Sequence, residues 1–293
     1  MSAVGAAPIE RRLLTVASCE PLGAYRLLRV EDPAGPEPAP GQFAMLATAE
    51  RWGGGEDERP YLPRAFSVTR WRPGEAEFLL EDVGPGSRRL CELRPGARLW
   101  ALGPFGRPFT IGPLAQPSSA GEPPSTAGEA PAILVGGGAG IAPLVILHDA
   151  LARRSAAATA LLGFRDAEHA AAATLIEGAR LATEDGSVGT PGLVTEPLSE
   201  ALAATPGARV YACGPTPMLE AVRALCQELD VTAELALEAP MACGFGACHG
   251  CVVPRRDGGY LRTCLEGPVV EAALLAPLVG PPAIASALDG APR

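Results

Sequence analysis

Between residues 10 and 111 the apolar positions fall in short runs that break at Gly, Pro or acidic residues. RLLTVASCE (12–20), AYRLLRVED (24–32), GQFAMLATA (41–49), RAFSVTRW (64–71), AEFLLEDVG (76–84) and ARLWALGPFG (97–106) are each strand-sized. They predict a small antiparallel β-barrel domain over 1–111, with one helix at SRRLCEL (87–93). Residues 112–130 are rich in Pro, Ser, Gly and Ala without periodicity, and read as a linker or insertion. From 131 strands alternate with helices: AILVG leads into IAPLVILHDALARR, then come TALLGF and a helix around 167–182. GLVTEPL (192–198) reads as a weaker strand before a helix near 197–204, ARVYAC leads into PTPMLEAVRALCQEL, and TAELALE closes the series. This grammar predicts a doubly wound α/β domain over 131–232 with a mostly parallel sheet. A cysteine-rich segment and a tail follow at 233–293.

Composition narrows the partners. A net charge of −9 argues against nucleic acid and against an anionic membrane surface. The most apolar window, APAILVGGGAGIAPLVIL (130–147), contains four internal glycines before its helix and two prolines, so no transmembrane span is expected. The N-terminus has no apolar run suited to a secretory signal, so a reducing cytoplasm is the expected location.

In that setting the clustered thiols point to metal or redox chemistry rather than to a disulfide framework. The spacing is Cys243-x4-Cys248-x2-Cys251-x12-Cys264, with Gly244, Gly246 and Gly250 interleaved. The glycines let the backbone wrap a cluster and turn amides towards its sulfurs. The first three cysteines match the C-x4-C-x2-C run of plant-type [2Fe–2S] centres, while the fourth lies nearer than that type has it. Structural zinc is the alternative, although zinc sites usually bring two separate C-x2-C pairs and one is present here. Cys19, Cys91 and Cys226 are scattered and read as packing thiols. His249 reads as a solvated loop residue, though one placed to tune a cluster.

Two glycine-bearing turns follow buried strands and precede helices. AILVGGGAGIAPL does not fit G-x-G-x-x-G, because Ile141 occupies the third glycine position counted from Gly136. Its amides and helix N-terminus still suit a pyrophosphate. VYACGPTPML repeats the geometry with Cys213-Gly214-Pro215 at the turn, and both turns are expected side by side at the carboxyl edge of the sheet. In the barrel, Arg64 of RAFS needs solvent or an anion. In EDVGPGSRRL, Ser87 reads as an N-cap, which sets Arg88 and Arg89 in the first turn against the helix dipole. A bound phosphate would relieve that conflict.

These signatures, in this order, resemble the ferredoxin–NADP reductase superfamily. Within it the chain is similar to the electron-transfer subunits of bacterial dihydroorotate dehydrogenase B, from about residue 10 to residue 270. The resemblance implies an FAD-binding barrel, an NAD-binding α/β domain and a small C-terminal [2Fe–2S] domain. Its R-x-x-S flavin motif corresponds to Arg64, Ala65, Phe66 and Ser67, with Arg64 on the FAD pyrophosphate and Ser67 near the isoalloxazine. Backbone contacts to flavin correspond to Leu79, Leu80 and Glu81, and the phosphate turn to Gly86 and Ser87. The nicotinamide-binding segments correspond to Gly136, Gly137, Gly138, Gly140, Ile141, Ala142 and Pro143, and to Cys213, Gly214 and Pro215. The cluster ligands correspond to Cys243, Cys248, Cys251 and Cys264, after an E-x-x-M-x-C-G-x-G lead-in from Glu238 to Gly246. The loop at 49–60 and the stretch at 112–130 look like insertions, and the last seventeen residues have no counterpart.

The implied activity is electron transfer between NAD(H), FAD, a [2Fe–2S] cluster and the FMN of a separate dihydroorotate dehydrogenase catalytic subunit. No general acid or base is expected in this chain, because its work is positioning and tuning. Asp166 after the second strand favours NADH by accepting from a ribose hydroxyl, whereas Arg165 beside it favours NADPH. Two other readings fit the residues less well. One is a flavin/iron–sulfur reductase subunit serving ferredoxin, a hydrogenase or glutamate synthase; the other is a zinc-stabilised nucleotide-binding regulatory module.

Overall fold

The computed structural model describes residues 10–50, 62–112 and 130–279. Most of the two expected insertions and the end of the C-terminal tail lie outside the described residues.

Six strands close a barrel: β1 (Arg11–Leu22), β2 (Tyr25–Glu31), β3 (Phe43–Thr48), β4 (Arg64–Arg72), β5 (Glu75–Glu81) and β6 (Arg98–Phe105). Their order around it is β1-β2-β5-β4-β3-β6, and every pairing is antiparallel. Alternation does the building. Leu14 and Val16, Leu28 and Val30, Phe78 and Leu80, and Leu99 and Ala101 are pairs two residues apart whose side chains fill the interior. A short helix, α1 (Pro85–Cys91), leaves the end of β5 and buries Leu90 in the same core.

The second layer system is a seven-stranded sheet. It is built from β7 (Ala132–Gly137), α2 (Ala142–Arg153), β8 (Ala158–Phe164), α3 (Ala167–Ala170), β9 (Arg180–Thr183), β10 (Thr190–Pro191), α4 (Thr195–Ala204), β11 (Arg209–Cys213), α5 (Thr216–Glu228) and β12 (Ala233–Ala236). The cysteine segment adds a hairpin of β13 (Val252–Pro254) and β14 (Tyr260–Arg262), then β15 (Val269–Glu271). The sheet order is β10-β9-β8-β7-β11-β12-β15, parallel except for the antiparallel β12/β15 pair. The cysteine segment is therefore stitched into the main sheet at both ends.

Two expected elements differ. The helix expected over 167–182 ends after one α turn and a 3₁₀ stretch at 171–175, and β9 takes 180–183. GLVTEPL is not a strand: Pro191 ends β10, and α4 starts at Thr195 with Pro197 in its first turn, where a missing N–H costs nothing.

Barrel and sheet are joined by specific contacts. Ile146 of α2 packs into the barrel core, and Arg70 of β4 binds Asp149 (2.8 Å) and the Leu175 carbonyl (2.6 Å). The chain leaving β6 is held at Thr110. Its N–H donates to Glu234 (2.8 Å), and its carbonyl accepts from Arg209 (2.8 Å) and the Tyr211 hydroxyl (2.8 Å).

Candidate functional site

A cleft of about 630 Å³ opens between the barrel and the carboxyl edge of the sheet. The barrel wall carries Arg64, Ala65, Phe66 and Ser67 from β4, Leu79 and Glu81 from β5, and Gly86 and Ser87 from α1. The facing wall carries Ala139, Gly140, Ala142 and Cys213, with Glu238 and Met241 at one end. Leu80 points the other way, fully buried in the barrel core, because adjacent strand residues face opposite sides.

Arg64 lies across the start of α1. A Cβ on Gly86 would come within 2.5 Å of Arg64 Nε, so the guanidinium occupies the space that a side chain at that position would fill. Its Nη1 donates to the Leu62 carbonyl (2.6 Å), and among the described residues no carboxylate pairs with it. Ser87 is not the N-cap. Gly84 is, and Ser87 sits at the third helical position, where its Oγ accepts from the Gly84 N–H (3.1 Å) and the Val83 N–H (2.9 Å). The helix therefore starts earlier than expected, and Arg88 and Arg89 fall in its last turn, in harmony with the dipole. The electrostatic conflict inferred from the sequence does not exist. Arg88 pairs instead with Asp82 (3.3 Å) and Arg89 with Glu92 (3.3 Å).

A second pocket of about 490 Å³ adjoins the cleft over the ends of the parallel strands. Gly137, Gly138, Gly140 and Pro215 line it, with Tyr25, Arg165, His169 and Glu184. The two glycine turns touch here: a Cβ on Gly140 would lie 2.5 Å from the Gly214 Cα, and one on Gly214 would lie 3.0 Å from the Gly137 Cα. Gly140→Ala is expected to force the turns apart, costing about 1–3 kcal/mol of stability by overpacking, read as a lowered midpoint of unfolding. Gly136 is fully packed beneath the turn, and Ile141 and Pro143 are buried in the sheet–helix core, so these three shape the site without lining it.

Asp166 is committed locally. It caps α3 by accepting from the His169 N–H (2.9 Å) and meets His169 Nδ1 at 2.7 Å, bonds that hold its carboxyl below the usual range. Its expected role at a ribose competes with that capping. Cys213 is buried, which raises its thiol well above the ordinary value and leaves it a packing group. Glu238 lies on the wall of both cavities, and burial, then the Glu81 charge, raises its carboxyl.

The four cysteines come as two pairs. Cys251 and Cys264 are buried with their sulfurs 3.2 Å apart, and Thr263 ties its N–H and its hydroxyl to the Cys251 carbonyl (3.0 Å each). Cys243 contacts the Cys248 thiol. Partial burial opposes its ionisation, but the amides of Phe245, Cys248 and Ala247, with that thiol, bring it down to about 6. Burial, reinforced by the Cys251 thiol, pushes Cys264 up to about 12. Gly244 and Gly246 adopt φ of 79° and 87°, which glycine permits freely. His249 has φ 58° and stays exposed in the loop. Among the described residues, no three metal-binding side chains converge on one point as a single ion would require. Two thiol pairs on an amide-rich loop fit a two-iron cluster instead, with two thiolates for each iron.

The cysteine loop presses against the cleft. Cys251 and Cys264 pack in one apolar cluster with Phe43, Met45, Ala65 and Met241, and three of those, Phe43, Ala65 and Met241, also line the 630 Å³ cleft. The buried thiol pair and the cleft thus share side chains of one apolar cluster. Phe43 and Met45 carry no mark in the sequence, since nothing in a strand of consecutive apolar residues shows which of them meets a distant segment.

Residues 238–276 match the model of the iron–sulfur cluster binding domain of dihydroorotate dehydrogenase B. Similar solved structures include a chain of the NADH-dependent reduced ferredoxin-NADP oxidoreductase, with TM-score 0.73 and 21% identity over 94% of this chain and 92% of that one. Another is the ferredoxin reductase of carbazole 1,9a-dioxygenase, with TM-score 0.61 and 22% identity over 77% of this chain and 68% of that one. At those identities they establish the shared fold. Among curated relatives, the dihydroorotate dehydrogenase B (NAD(+)) electron transfer subunit homolog of Aquifex aeolicus (strain VF5) is 34% identical over 84% of this chain and 90% of its own length. The corresponding subunit of Geobacillus sp. (strain WCH70) is 34% identical over 80% and 85%. With the barrel, the paired glycine turns and the four-cysteine segment in the same order, this chain belongs to the family of dihydroorotate dehydrogenase B electron transfer subunits.

Proposed function

We propose that this chain carries electrons between NAD(H) and a separate FMN-containing dihydroorotate dehydrogenase catalytic subunit, through FAD and one [2Fe–2S] cluster. The observation that carries the reading is the shared wall. Phe43, Ala65 and Met241 belong at once to the cleft and to the packing around Cys251 and Cys264. A group in the cleft and a cluster on the thiols would both pack against these side chains.

The residues divide the work. Arg64 and the start of α1 hold the anionic part of FAD, while Ser67 and the β5 backbone edge border the ring. A flavin held there supplies the conversion of a two-electron hydride into single electrons, which a [2Fe–2S] centre requires. The apposed turns at Gly140 and Gly214 leave room for a nicotinamide against the cleft, and buried Cys213 beneath them excludes water. Cys243, Cys248, Cys251 and Cys264 hold the cluster, and the amides around Cys243 favour its thiolate.

Around the exposed Cys248, the side chains of Phe245, Val252 and Leu265 are about two-fifths exposed, and such apolar surface beside an electron exit suits a docking partner. Among the described residues no helix is long and apolar enough to cross a membrane. The reading places the protein in the cytoplasm, where the thiols stay available for a cluster. Mixing this chain with the catalytic subunit should give a stable complex that reduces NAD⁺ with dihydroorotate, with neither protein active alone in that assay. Failure to associate, together with absence of NAD⁺ reduction, would transfer the chain to the ferredoxin-type reductases.

A further inference from the structure

The wall of the 490 Å³ pocket carries Glu81, Glu184 and Glu238, and among the described residues its only arginine is Arg165. A dinucleotide brings a doubly charged pyrophosphate into that acidic setting, so a cation there decides how tightly it is held. Arg165 is already engaged across the domain boundary. From the end of β8 its Nη2 reaches Glu81 at the end of β5 (3.1 Å), and its Nε donates to His169 Nε2 (2.9 Å). With His169 Nδ1 facing Asp166, the geometry fits a neutral ring that accepts from Arg165 and donates to Asp166. Tyr25 lies edge-on to the His169 ring, with centroids 5.5 Å apart. Its hydroxyl is buried without a hydrogen-bond partner and lies near Gly138, 3.7 Å from where a Cβ would stand. An unsatisfied buried hydroxyl on a pocket wall points to a polar ligand group that completes it.

We propose that the Glu81–Arg165 ion pair is an internal competitor of the dinucleotide: Arg165 leaves Glu81 for the pyrophosphate, and that exchange couples nucleotide binding to the edge of the flavin cleft. The proposal rests on reading this pocket as the nucleotide site. Glu81 borders both cavities, so the partner that Arg165 abandons is a carboxylate on the cleft itself. Arg165 is 61% exposed on its side chain, so the pair is weak enough to be exchanged. The bond to His169 keeps the guanidinium at the pocket wall during the exchange.

The test is equilibrium binding of NAD⁺ to the full chain loaded with FAD and cluster, for wild type, Arg165→Ala, Glu81→Gln and the double variant. Arg165→Ala is expected to weaken NAD⁺ about 10-fold or more, the range of a lost charge-assisted phosphate contact. Glu81→Gln is expected to tighten it about 2- to 5-fold, as the competitor is neutralised. The double variant decides the mechanism: with Arg165 gone, Glu81→Gln should change NAD⁺ affinity by less than about 1.5-fold. An equal tightening in both backgrounds would mean a general charge effect and would overturn the exchange. So would unchanged affinity in Glu81→Gln alone. Retained FAD and an unchanged unfolding temperature check that the variants fold. If wild type binds no NAD⁺ at all, the assignment of the pocket fails, an outcome distinct from failure of the exchange.

Discussion

Cys264→Ser is expected to give a folded, FAD-containing protein that has lost its iron. Cys264 is 1% exposed and sits against Cys251, so a hydroxyl in its place cannot provide the fourth thiolate of a two-iron set. Iron analysis should fall from about two per chain to near zero, and the cluster's visible absorption should vanish while the flavin bands persist. Cys243→Ser, Cys248→Ser and Cys251→Ser are expected to behave alike. Cys19→Ser should leave iron content unchanged, since Cys19 is outside the cysteine segment and its thiol faces the Leu90 and Cys91 carbonyls at the end of α1. Unchanged iron in all four cluster variants would remove the cysteine assignment.

Arg64→Ala is expected to weaken FAD binding by about 10- to 100-fold, from loss of a charge-assisted phosphate contact worth about 1.5–3 kcal/mol. The structure strengthens the case in one respect and weakens it in another. The Arg64 guanidinium lies over Gly86 and lines the cleft, which puts its charge where an anion could meet it. The dipole conflict at Arg88 and Arg89 no longer supports a phosphate there, so Arg64 and the backbone must carry the binding. Fluorescence titration of the flavin-stripped variant measures the effect, and an FAD affinity equal to wild type would move Arg64 out of the site.

The barrel was legible because its apolar runs are strand-sized and end at Gly, Pro or acidic residues, and both signals are local: within them Leu14 with Val16, or Phe78 with Leu80, fill the interior. The cysteine segment was legible through its spacing. The glycine turns could be located from their strand–turn–helix context, and Gly140 against Gly214 bears out their expected apposition. Errors arose where local propensity and tertiary context disagree. The alanine run at 170–173 fits a long helix, but the helical run ends at Leu175, Ile176 is already extended, and ARLAT is recruited as a strand beside β8. Val194 and Thr195 promised a strand, whereas the prolines on either side mark a turn and a helix start. Ser87 looked like a cap because Gly84 has no side chain to advertise the role. Contacts between distant segments gave no sequence signal. Met45 against Gly244, Phe43 beside the thiols and Glu81 reaching Arg165 exist only once the barrel and the sheet are docked.

If the cleft and the cysteine pair form one electron path within this chain, NADH must be able to reduce flavin and cluster without a partner. Anaerobic titration of the chain alone, loaded with FAD and cluster, with NADH tests it most directly. The flavin is followed by absorbance and the cluster by electron paramagnetic resonance. The signal of a reduced [2Fe–2S] cluster is expected to grow as the flavin bands bleach, and Cys264→Ser to bleach without giving that signal. Flavin that bleaches fully beside an intact cluster that never takes an electron would contradict it.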